Sequence, residues 1–158
     1  MRAVVQRVSG ATLNLVDDGA EREHTAIGPG LVVLLGVELH DTDDDLAWMA
    51  RKILNRRIFR DDEGKMNRSL LNFAEDEDKH GLLLVPNFTV AGRAHKGRRP
   101  DFTSARSPTE AATMFDQLAG RLRDEAPAVR IETGVFGAHM HVALVNDGPV
   151  TIWLDSRV

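Results

Sequence analysis

The sequence predicts an α/β protein in which a mostly antiparallel β-sheet or barrel carries two main helices. Predicted strands outnumber predicted helices, most connections between them are short, and two segments have the apolar spacing of amphipathic helices. A chain of 158 residues can bury one sizeable core, so we expect a compact single domain spanning residues 1–158.

The predicted strands follow alternating or continuous apolar patterns. Met1–Val8 and Thr12–Val16 are typical of paired strands, and the apolar run Leu31–Val37 is typical of a central strand covered on both faces. Gly81–Val90 contains Pro86, which cannot donate a hydrogen bond to a neighbouring strand, so we expect this strand to be bulged or to lie at an edge. Three further strands are predicted over Val129–Thr133, His139–Val145 and Val150–Asp155.

Both predicted helices begin with a capping signal. The first is expected over Thr42–Arg56, where Thr42 and Asp45 can form a capping box. Its apolar residues at helical spacing are Leu46, Met49, Ala50, Ile53 and Leu54. The second begins at Ser107-Pro108, with Glu110 in position to close a box. Its inward residues are expected to be Phe115, Leu118, Ala119 and Leu122.

The composition excludes several classes of protein. Because the chain has no cysteine, it can form no disulfide bond, no cysteine-ligated zinc site and no catalytic thiol. Its net charge of −4 argues against unspecific coating of nucleic acid, but it is compatible with a local basic patch. No window approaches the ~20 apolar residues of a membrane span, and the first ten residues lack the layout of a signal peptide. We therefore expect a cytoplasmic protein without membrane contact.

A basic stretch, Ala91–Arg106, is the first candidate for a binding role. It reads AGRAHKGRRPDFTSAR and contains five cations against one acid, Asp101. Phosphate is a natural partner, because arginine binds it in a bidentate fork and Gly97 lets backbone N–H groups approach an anion. The alternative is an ordinary solvated loop, as we expect for the charged segment Glu75–Lys79.

Two weaker signals concern catalysis. In PNFTV, Asn87 and Thr89 would share one face of a strand, but Thr89 could act as a nucleophile only beside a base, which the sequence does not identify. The alternative is an ordinary edge strand. His139 and His141 could chelate zinc, but no third ligand is identifiable, so two half-exposed histidines are the simpler interpretation. The turn formers Asn146–Pro149 would, in the simplest interpretation, close a hairpin.

Seven motifs are spread over almost the whole chain. In order they are MRAVVQRVSGA, IGPGLVVLLGV, KILNRRIF, DDEGKMNRSL, KGRRPDF, ETGVFGAHM and NDGPVTIWLDS. Together they resemble the D-aminoacyl-tRNA deacylase family, and the combination of NDGPVT with KGRRP is far more specific than either motif alone. The resemblance implies a compact α/β domain with a barrel-like antiparallel sheet and a homodimer. It also implies hydrolysis of the ester that joins a D-amino acid to the 3′ end of tRNA, without a cofactor or metal.

The resemblance further implies a role for Gly148-Pro149. In this family the Gly-Pro peptide bond is cis and is offered to the active site of the other subunit. There a rigid main-chain wall can admit the hydrogen on Cα of a D-amino acid and refuse the side chain of an L-amino acid. Glycine has no side chain to refuse, so glycyl-tRNA, mischarged on tRNA(Ala), is an expected second substrate. The implied role is chiral proofreading in translation quality control.

Residue roles are carried over from the family by position. Phe88, Thr89, Gly148 and Pro149 occupy the catalytic positions. The implied substrate-binding residues, the last four of which surround the terminal adenosine, are Pro86, Asn87, Phe136, Gly137, Ala138 and Met140. The candidates for contact with tRNA phosphates are Lys96, Arg98 and Arg99. Catalysis would be substrate-assisted: the 2′-hydroxyl of the terminal ribose helps to activate water, while backbone N–H groups near Phe88 and Thr89 stabilise the carbonyl.

Two motifs depart from the family pattern. Pro86 and Asn87 replace the serine and glutamine of the family's SQFT, and His139 replaces the aspartate of FGADM. A sibling branch with relaxed chirality also has proline at the first position, so the chain could be a chirality-relaxed deacylase, although NDGPVT favours the D-specific branch. Two further hypotheses are a non-catalytic module that binds the tRNA end and a metal-dependent hydrolase that uses His139 and His141.

Overall fold

The computed structural model describes residues 1–73, 80–95 and 97–158 of the chain. The predicted loop Glu75–Lys79 and the candidate phosphate ligand Lys96 therefore lie outside the described residues. The strands are β1 (Arg2–Asp17), β2 (Ala20–Ile27), β3 (Gly30–Gly36), β4 (Phe59–Arg60), β5 (Met66–Arg68), β6 (Gly81–Pro86), β7 (Arg130–Thr133) and β8 (Met140–Asp155). The helices are α1 (Asp43–Asn55) and α2 (Pro108–Glu125), with short 3-10 helices at Leu70–Phe73 and Phe88–Ala91.

Strand β1 organises the sheet because its 16 residues are enough to pair with three other strands. One of its edges pairs antiparallel with β3 over Arg2–Val8 and with β2 over Ala11–Asp17. Strand β8 runs antiparallel along nearly the whole of the other edge. The sequence predicted two strands here. A bulge in β1 between Val8 and Gly10 keeps both halves paired with β8, so they form one continuous strand.

Beyond β3 the sheet is parallel, because β6 pairs with β3 and β7 pairs with β6. Parallel neighbours need a crossover connection, and here α1 lies in the connection from β3 to β6 and α2 in the connection from β6 to β7. Strand β2 packs beside β6 and β7, which brings the sheet close to a closed barrel. The predicted α/β fold, with a mostly antiparallel, barrel-like sheet and two main helices, is confirmed.

Both helices bury their apolar stripes in one core against the sheet. All the α1 residues predicted to be buried are buried, and so are the four predicted for α2. Thr42 and Asp45 form the predicted capping box. At α2 the Ser107 hydroxyl donates to the Glu110 carboxylate at 2.7 Å and makes no bond to the helix backbone, so the second predicted box does not form. In the described part of the chain, no helix is long and apolar enough to cross a membrane.

Strand β6 lies inside the sheet and ends at Pro86, so the prediction of a bulged or edge strand through Val90 was wrong. Pro86 is the last residue of the ladder, opposite Leu35, where its missing N–H leaves the preceding pairing intact. The next N–H, that of Asn87, donates to the Leu35 carbonyl at 2.8 Å. The chain then turns into the 3-10 helix Phe88–Ala91, which carries it away from the sheet.

Strand β8 is continuous, so the predicted hairpin at Asn146–Pro149 was wrong. On both sides of this segment β8 stays antiparallel to β1. The ladder is interrupted where β1 advances from Gln6 to Val8, and there residues 147–150 of β8 form a bulge opposite Arg7. Turn-forming residues therefore serve to bend one strand instead of connecting two.

The start of α1 is tied to β1 and to the segment after β8. The α-amino group of Met1 donates to Asp41 Oδ1 at 2.5 Å and to Ser156 Oγ at 2.6 Å. The Ser156 hydroxyl in turn donates to Asp45 Oδ1 at 2.6 Å. Burial raises the pKa of the Asp45 carboxyl, but hydrogen bonds from Ser156 and Thr42, together with the positive charge of the Met1 amino group, outweigh burial and lower this pKa to about 2.

The substitution Asp45→Asn should remove a pH-dependent part of the stability. A carboxyl whose pKa is depressed by folding stabilises the protein at pH values above its ordinary pKa of 3.8, and that contribution is lost as the pH falls toward 2. In urea unfolding, the wild type should exceed Asp45→Asn in free energy of unfolding at about pH 7, and the difference should shrink toward pH 2. Asp44→Asn, which removes a charge from the same turn outside this network, is the control. A difference that stays constant over this range would contradict the expectation.

Candidate active site

The loop after β6 holds the predicted catalytic residues Phe88 and Thr89. Asn87 caps the 3-10 helix, because its Oδ1 accepts the Thr89 N–H at 3.1 Å and the Thr89 hydroxyl at 2.5 Å. An amide oxygen is not a base at neutral pH, so this contact does not activate Thr89 as a nucleophile. The Phe88 N–H has no hydrogen-bond partner elsewhere in the described chain and remains available as a donor.

A cavity of about 340 Å³ opens at the end of β6, and we call it the strand-end cavity. All the predicted substrate-binding residues except Phe136 line it, and so do Phe88 and His139. These residues come from the end of β6 and from the segment that leads into β8, which are distant in sequence. The structure therefore brings together the residues that the sequence assigned to substrate binding.

A second cavity, of about 450 Å³, shares Pro86, Phe88 and Gly137 with the first, and we call it the aromatic cavity. Phe88 and Phe102 meet edge to face on its wall, with 5.1 Å between ring centroids. Phe115 and Phe136 also line it, and their ring centroids are 6.4 Å apart. An apolar cavity of this size with aromatic walls suits a planar nucleobase. Sequence reasoning missed Phe102, although it stands inside the motif KGRRPDF.

The predicted catalytic residues Gly148 and Pro149 line neither of these two cavities. They lie exposed in the β8 bulge, and the peptide bond between them is cis. Asn146 Nδ2 closes the base of the bulge by donating to the carbonyls of Arg7 at 3.0 Å and Val150 at 2.9 Å. Gly148 has a φ of 136°, and an added Cβ would lie 2.7 Å from Val150 Cγ2, so this position requires glycine. Within one chain, the residues predicted to be catalytic thus occupy two separate places.

Arg7 supports the bulge from the interior of the sheet, and sequence reasoning missed it. Its side chain is 3% exposed, and its Nε lies 2.9 Å from Asp147 Oδ2 and donates to the Asp147 carbonyl at 3.2 Å. Nη1 donates to the Ile58 carbonyl at 2.5 Å. Ala3, Val5 and Arg7 alternate inward along β1, so a charged residue at an inward position was the signal available in the sequence.

The basic loop presents Arg98 and Arg99 to solvent, and neither forms an ion pair with another described residue. The loop's one acid, Asp101, is held by Thr103, whose N–H and hydroxyl donate to it and lower the pKa of the Asp101 carboxyl. The Asp101 backbone pairs with that of Arg93. The Asp101 carboxylate is therefore hydrogen-bonded within its own loop. Arg98 and Arg99 line neither of the two cavities.

The two histidines considered as zinc ligands lie side by side, and both are exposed. The rings of His139 and His141 are nearly perpendicular, with 5.2 Å between centroids. His141 Nδ1 lies 3.2 Å from a carboxylate oxygen of Glu21. Hydrogen bonds from Asn14 and His141 lower the pKa of Glu21. Among residues 1–73, 80–95 and 97–158, no group of three potential ligand side chains is placed to hold a metal ion.

Sequence comparison places this chain among known proteins. Residues 4–155 match the family model described as D-Tyr-tRNA(Tyr) deacylase. The chain belongs to this deacylase family. It is 53% identical to the D-aminoacyl-tRNA deacylase of Kosmotoga olearia and 49% identical to that of Chlorobaculum tepidum. Each match covers 99% of this chain, and they cover 98% and 97% of the two deacylases. Membership in the deacylase family confirms the prediction of a hydrolase.

Two solved structures share the deacylase fold of this chain. One, described as a c-Myc DNA Unwinding Element Binding Protein, is 40% identical, with a TM-score of 0.87 and 98% of each chain covered. The other, described as a probable eukaryotic D-amino acid tRNA deacylase, is 20% identical, with a TM-score of 0.80 and 97% of each chain covered. At that identity the second likeness concerns the fold alone.

The substitution Arg7→Lys should destabilise the bulge although it keeps the charge. A lysine cannot supply the guanidinium fork, so the Ile58 carbonyl or the Asp147 carbonyl loses its donor, at a cost of about 1–3 kcal/mol in free energy of unfolding. Urea titration measures this loss, and faster hydrogen exchange at residues 146–151 should accompany it. Arg130→Lys, which alters an exposed pair with Glu132, is the control. Equal stability of Arg7→Lys and this control would show that Arg7 does not hold the bulge.

Proposed function

We propose that this protein hydrolyses the ester bond of D-aminoacyl-tRNA and releases the free amino acid and tRNA. The observation that carries the proposal is the strand-end cavity, which gathers Pro86, Asn87, Gly137, Ala138 and Met140. By position these residues correspond to the substrate-binding residues of the deacylases. Membership in the family over residues 4–155, and similarity to two deacylases along nearly the whole chain, support the same reaction.

The protein acts as a homodimer in which Gly148-Pro149 of each subunit lies at the strand-end cavity of the other. Support comes from the position of this segment, which is exposed and lines neither cavity of its own chain. Support also comes from β8, which in the described chain pairs along one edge, with β1. β8 exposes 64% of Val145 and 53% of Trp153. Apolar side chains beside an unpaired strand edge favour a protein partner.

The main chain of Gly148-Pro149 would act as a wall beside Cα of the bound amino acid. Mirror-image amino acids exchange the hydrogen and the side chain on Cα, so such a wall selects by handedness and is indifferent to the side chain's identity. Arg7 and Asn146 hold the segment on two sides, which gives the wall the stiffness that it needs. A 10⁴-fold preference needs about 5.5 kcal/mol, which a clash together with lost hydrogen bonds can supply. Glycine has no side chain on Cα that could clash with this wall, so glycyl-tRNA mischarged on tRNA(Ala) is a second substrate.

Catalysis relies on the 2′-hydroxyl of the terminal ribose to help activate water. The contacts of Thr89 support this mechanism over a covalent one, because its hydroxyl donates to Asn87 Oδ1 and has no base beside it. The Thr89 N–H is also engaged with Asn87, which leaves the Phe88 N–H as the donor for the ester carbonyl. The protein contributes mainly orientation and this backbone donor.

The aromatic cavity, which Phe136 and Gly137 line, receives the terminal adenine of the tRNA. Ala138 and Met140, which the resemblance also assigned to the terminal adenosine, line the adjoining strand-end cavity instead. Phe88, Phe102 and Phe136 provide apolar faces for the base, and the wall shared at Pro86 lets the aminoacyl ester reach the strand-end cavity. Arg98 and Arg99, which are exposed outside the cavities, contact phosphates further along the acceptor end. The enzyme thereby removes D-amino acids and glycine from mischarged tRNA before they enter translation in the cytoplasm.

Hydrolysis assays with D-aminoacyl-tRNA, L-aminoacyl-tRNA and glycyl-tRNA test this function. We expect the D and glycyl esters to be cleaved, with the L ester slower by about 10⁴-fold. Gly148→Ala should abolish most of the activity because the added carbon has no room, whereas Gly120→Ala, with nothing within 4 Å, is the matched control.

Two different results of this assay would point to a different function. Equal cleavage of the D and L esters would indicate a chirality-relaxed deacylase. Binding of tRNA without cleavage of any ester would indicate a non-catalytic module that reads the tRNA end.

A D-aminoacyl-tRNA whose terminal adenosine lacks the 2′-hydroxyl should be hydrolysed at least about 100-fold more slowly, because a group that takes part in general acid–base catalysis is missing. The affinity for this substrate analogue, measured separately, should change little. Turnover equal to that of the normal substrate would contradict the substrate-assisted mechanism.

A further inference from the structure

Resting on the function proposed above, we infer that Arg106 binds the 5′-phosphate of the terminal adenosine of tRNA. The aromatic cavity is then a site for a nucleoside monophosphate unit, in which aromatic rings hold the base and one guanidinium holds the phosphate. This contact is separate from those of Arg98 and Arg99, which lie outside the cavity.

The composition of the cavity wall points to one anionic group on an otherwise apolar ligand. Apart from Arg106, the wall consists of aliphatic, aromatic and small residues with one hydroxyl, that of Ser107. No carboxylate lines it, and Arg106 forms no ion pair with another described residue. A lone cation on an apolar wall is stabilised most by a ligand that brings a negative charge, since charge-assisted hydrogen bonds are the strongest polar contacts. The Glu110 carboxylate does not line the cavity, and it accepts a hydrogen bond from the Ser107 hydroxyl at 2.7 Å.

The guanidinium of Arg106 has few partners of its own. Its Nε is buried without a hydrogen-bond partner among the described residues. Nη1 lies 3.5 Å from the thioether sulfur of Met114, which is a weak acceptor, and Nη2 donates to the Leu39 carbonyl at 3.1 Å. A phosphate would supply the strong acceptor that Nη1 lacks, while the buried Nε adds to the positive charge without contacting the ligand.

The backbone holds Arg106 at a defined place beside the cavity. Its N–H donates to the Val37 carbonyl at 3.0 Å, just after β3, and Ala105 pairs with Glu38. Because Pro86 and Phe88 are shared by the two cavities, one nucleotide can place its base and phosphate on the aromatic side while its aminoacyl ester reaches the strand-end cavity. Arg106 is therefore a binding residue for the nucleotide, and it lies outside the strand-end cavity.

Calorimetric titration with adenosine and with adenosine 5′-monophosphate tests the inference. The wild type should bind the monophosphate at least about tenfold more tightly than adenosine, and added salt should reduce this preference. Arg106→Met should bind both ligands equally, while Arg106→Lys should keep part of the preference because it keeps the charge. Arg121→Met, which removes an arginine paired with Glu125 on the neighbouring helix α2, is the control and should behave as the wild type.

The outcomes separate this inference from the proposed function. Equal binding of adenosine and its monophosphate by a wild-type protein that cleaves D-aminoacyl-tRNA would overturn the role of Arg106 and leave the function standing. Absence of cleavage would overturn the function, while the preference for the monophosphate and its loss in Arg106→Met would still decide the role of Arg106. If Arg106→Met does not fold, the role of Arg106 is still tested by three measurements: the preference of the wild type for the monophosphate over adenosine, the salt dependence of that preference, and the reduced preference expected of Arg106→Lys.

Discussion

The buried guanidinium of Arg7 is the interaction on which the rest of the structure depends. It lies inside the sheet and contacts Ile58 after α1 and Asp147 in β8, two places far apart in sequence. A buried charge is costly unless it is paired and hydrogen-bonded, so the native position of the bulge is the one that satisfies Arg7. The ladder of β1 and β8 shifts register at Arg7 and again at Ser9, and the exposed Gly148-Pro149 segment lies opposite Arg7.

At the end of β6, Pro86 and Asn87 determine which donors of the following loop have a partner within the chain. Pro86 is the last residue of the β6 ladder, where the N–H that proline lacks is not needed for pairing. The side-chain oxygen of Asn87 accepts hydrogen bonds from the N–H and the hydroxyl of Thr89. In the loop after β6, this leaves the Phe88 N–H as a main-chain donor without a partner among the described residues.

In the proposed function, the two adjoining cavities would divide the recognition of a nucleotide ester between different kinds of contact. The aromatic cavity is apolar with one cation, Arg106, and suits a base that carries a phosphate. The strand-end cavity lies beside main-chain groups at the end of β6 and is completed, in the proposed dimer, by the main chain of the partner. Under that proposal, main-chain atoms would contact the amino acid and side chains would contact the nucleotide, so one site could select handedness while accepting many amino acids.

The sequence by itself determined the elements whose signals are local. The apolar spacing of α1, its capping box and the continuous apolar run of β3 depend on neighbours within a few residues, so the predictions made from them were correct. Several residues of the strand-end cavity, among them Pro86, Asn87 and Met140, could also be named in advance, because the motifs that carry them resemble those of a known family. Leu34, Val85 and Val142 carry no such motif and were identified only by the structure. The tertiary structure decided whether Gly10 and Asn146–Pro149 end a strand or bulge within one, since that depends on the register of a partner more than a hundred residues away. The same holds for Arg7 and Arg106, because a charged side chain acquires its role from the distant carbonyls, carboxylates and rings that surround it after folding.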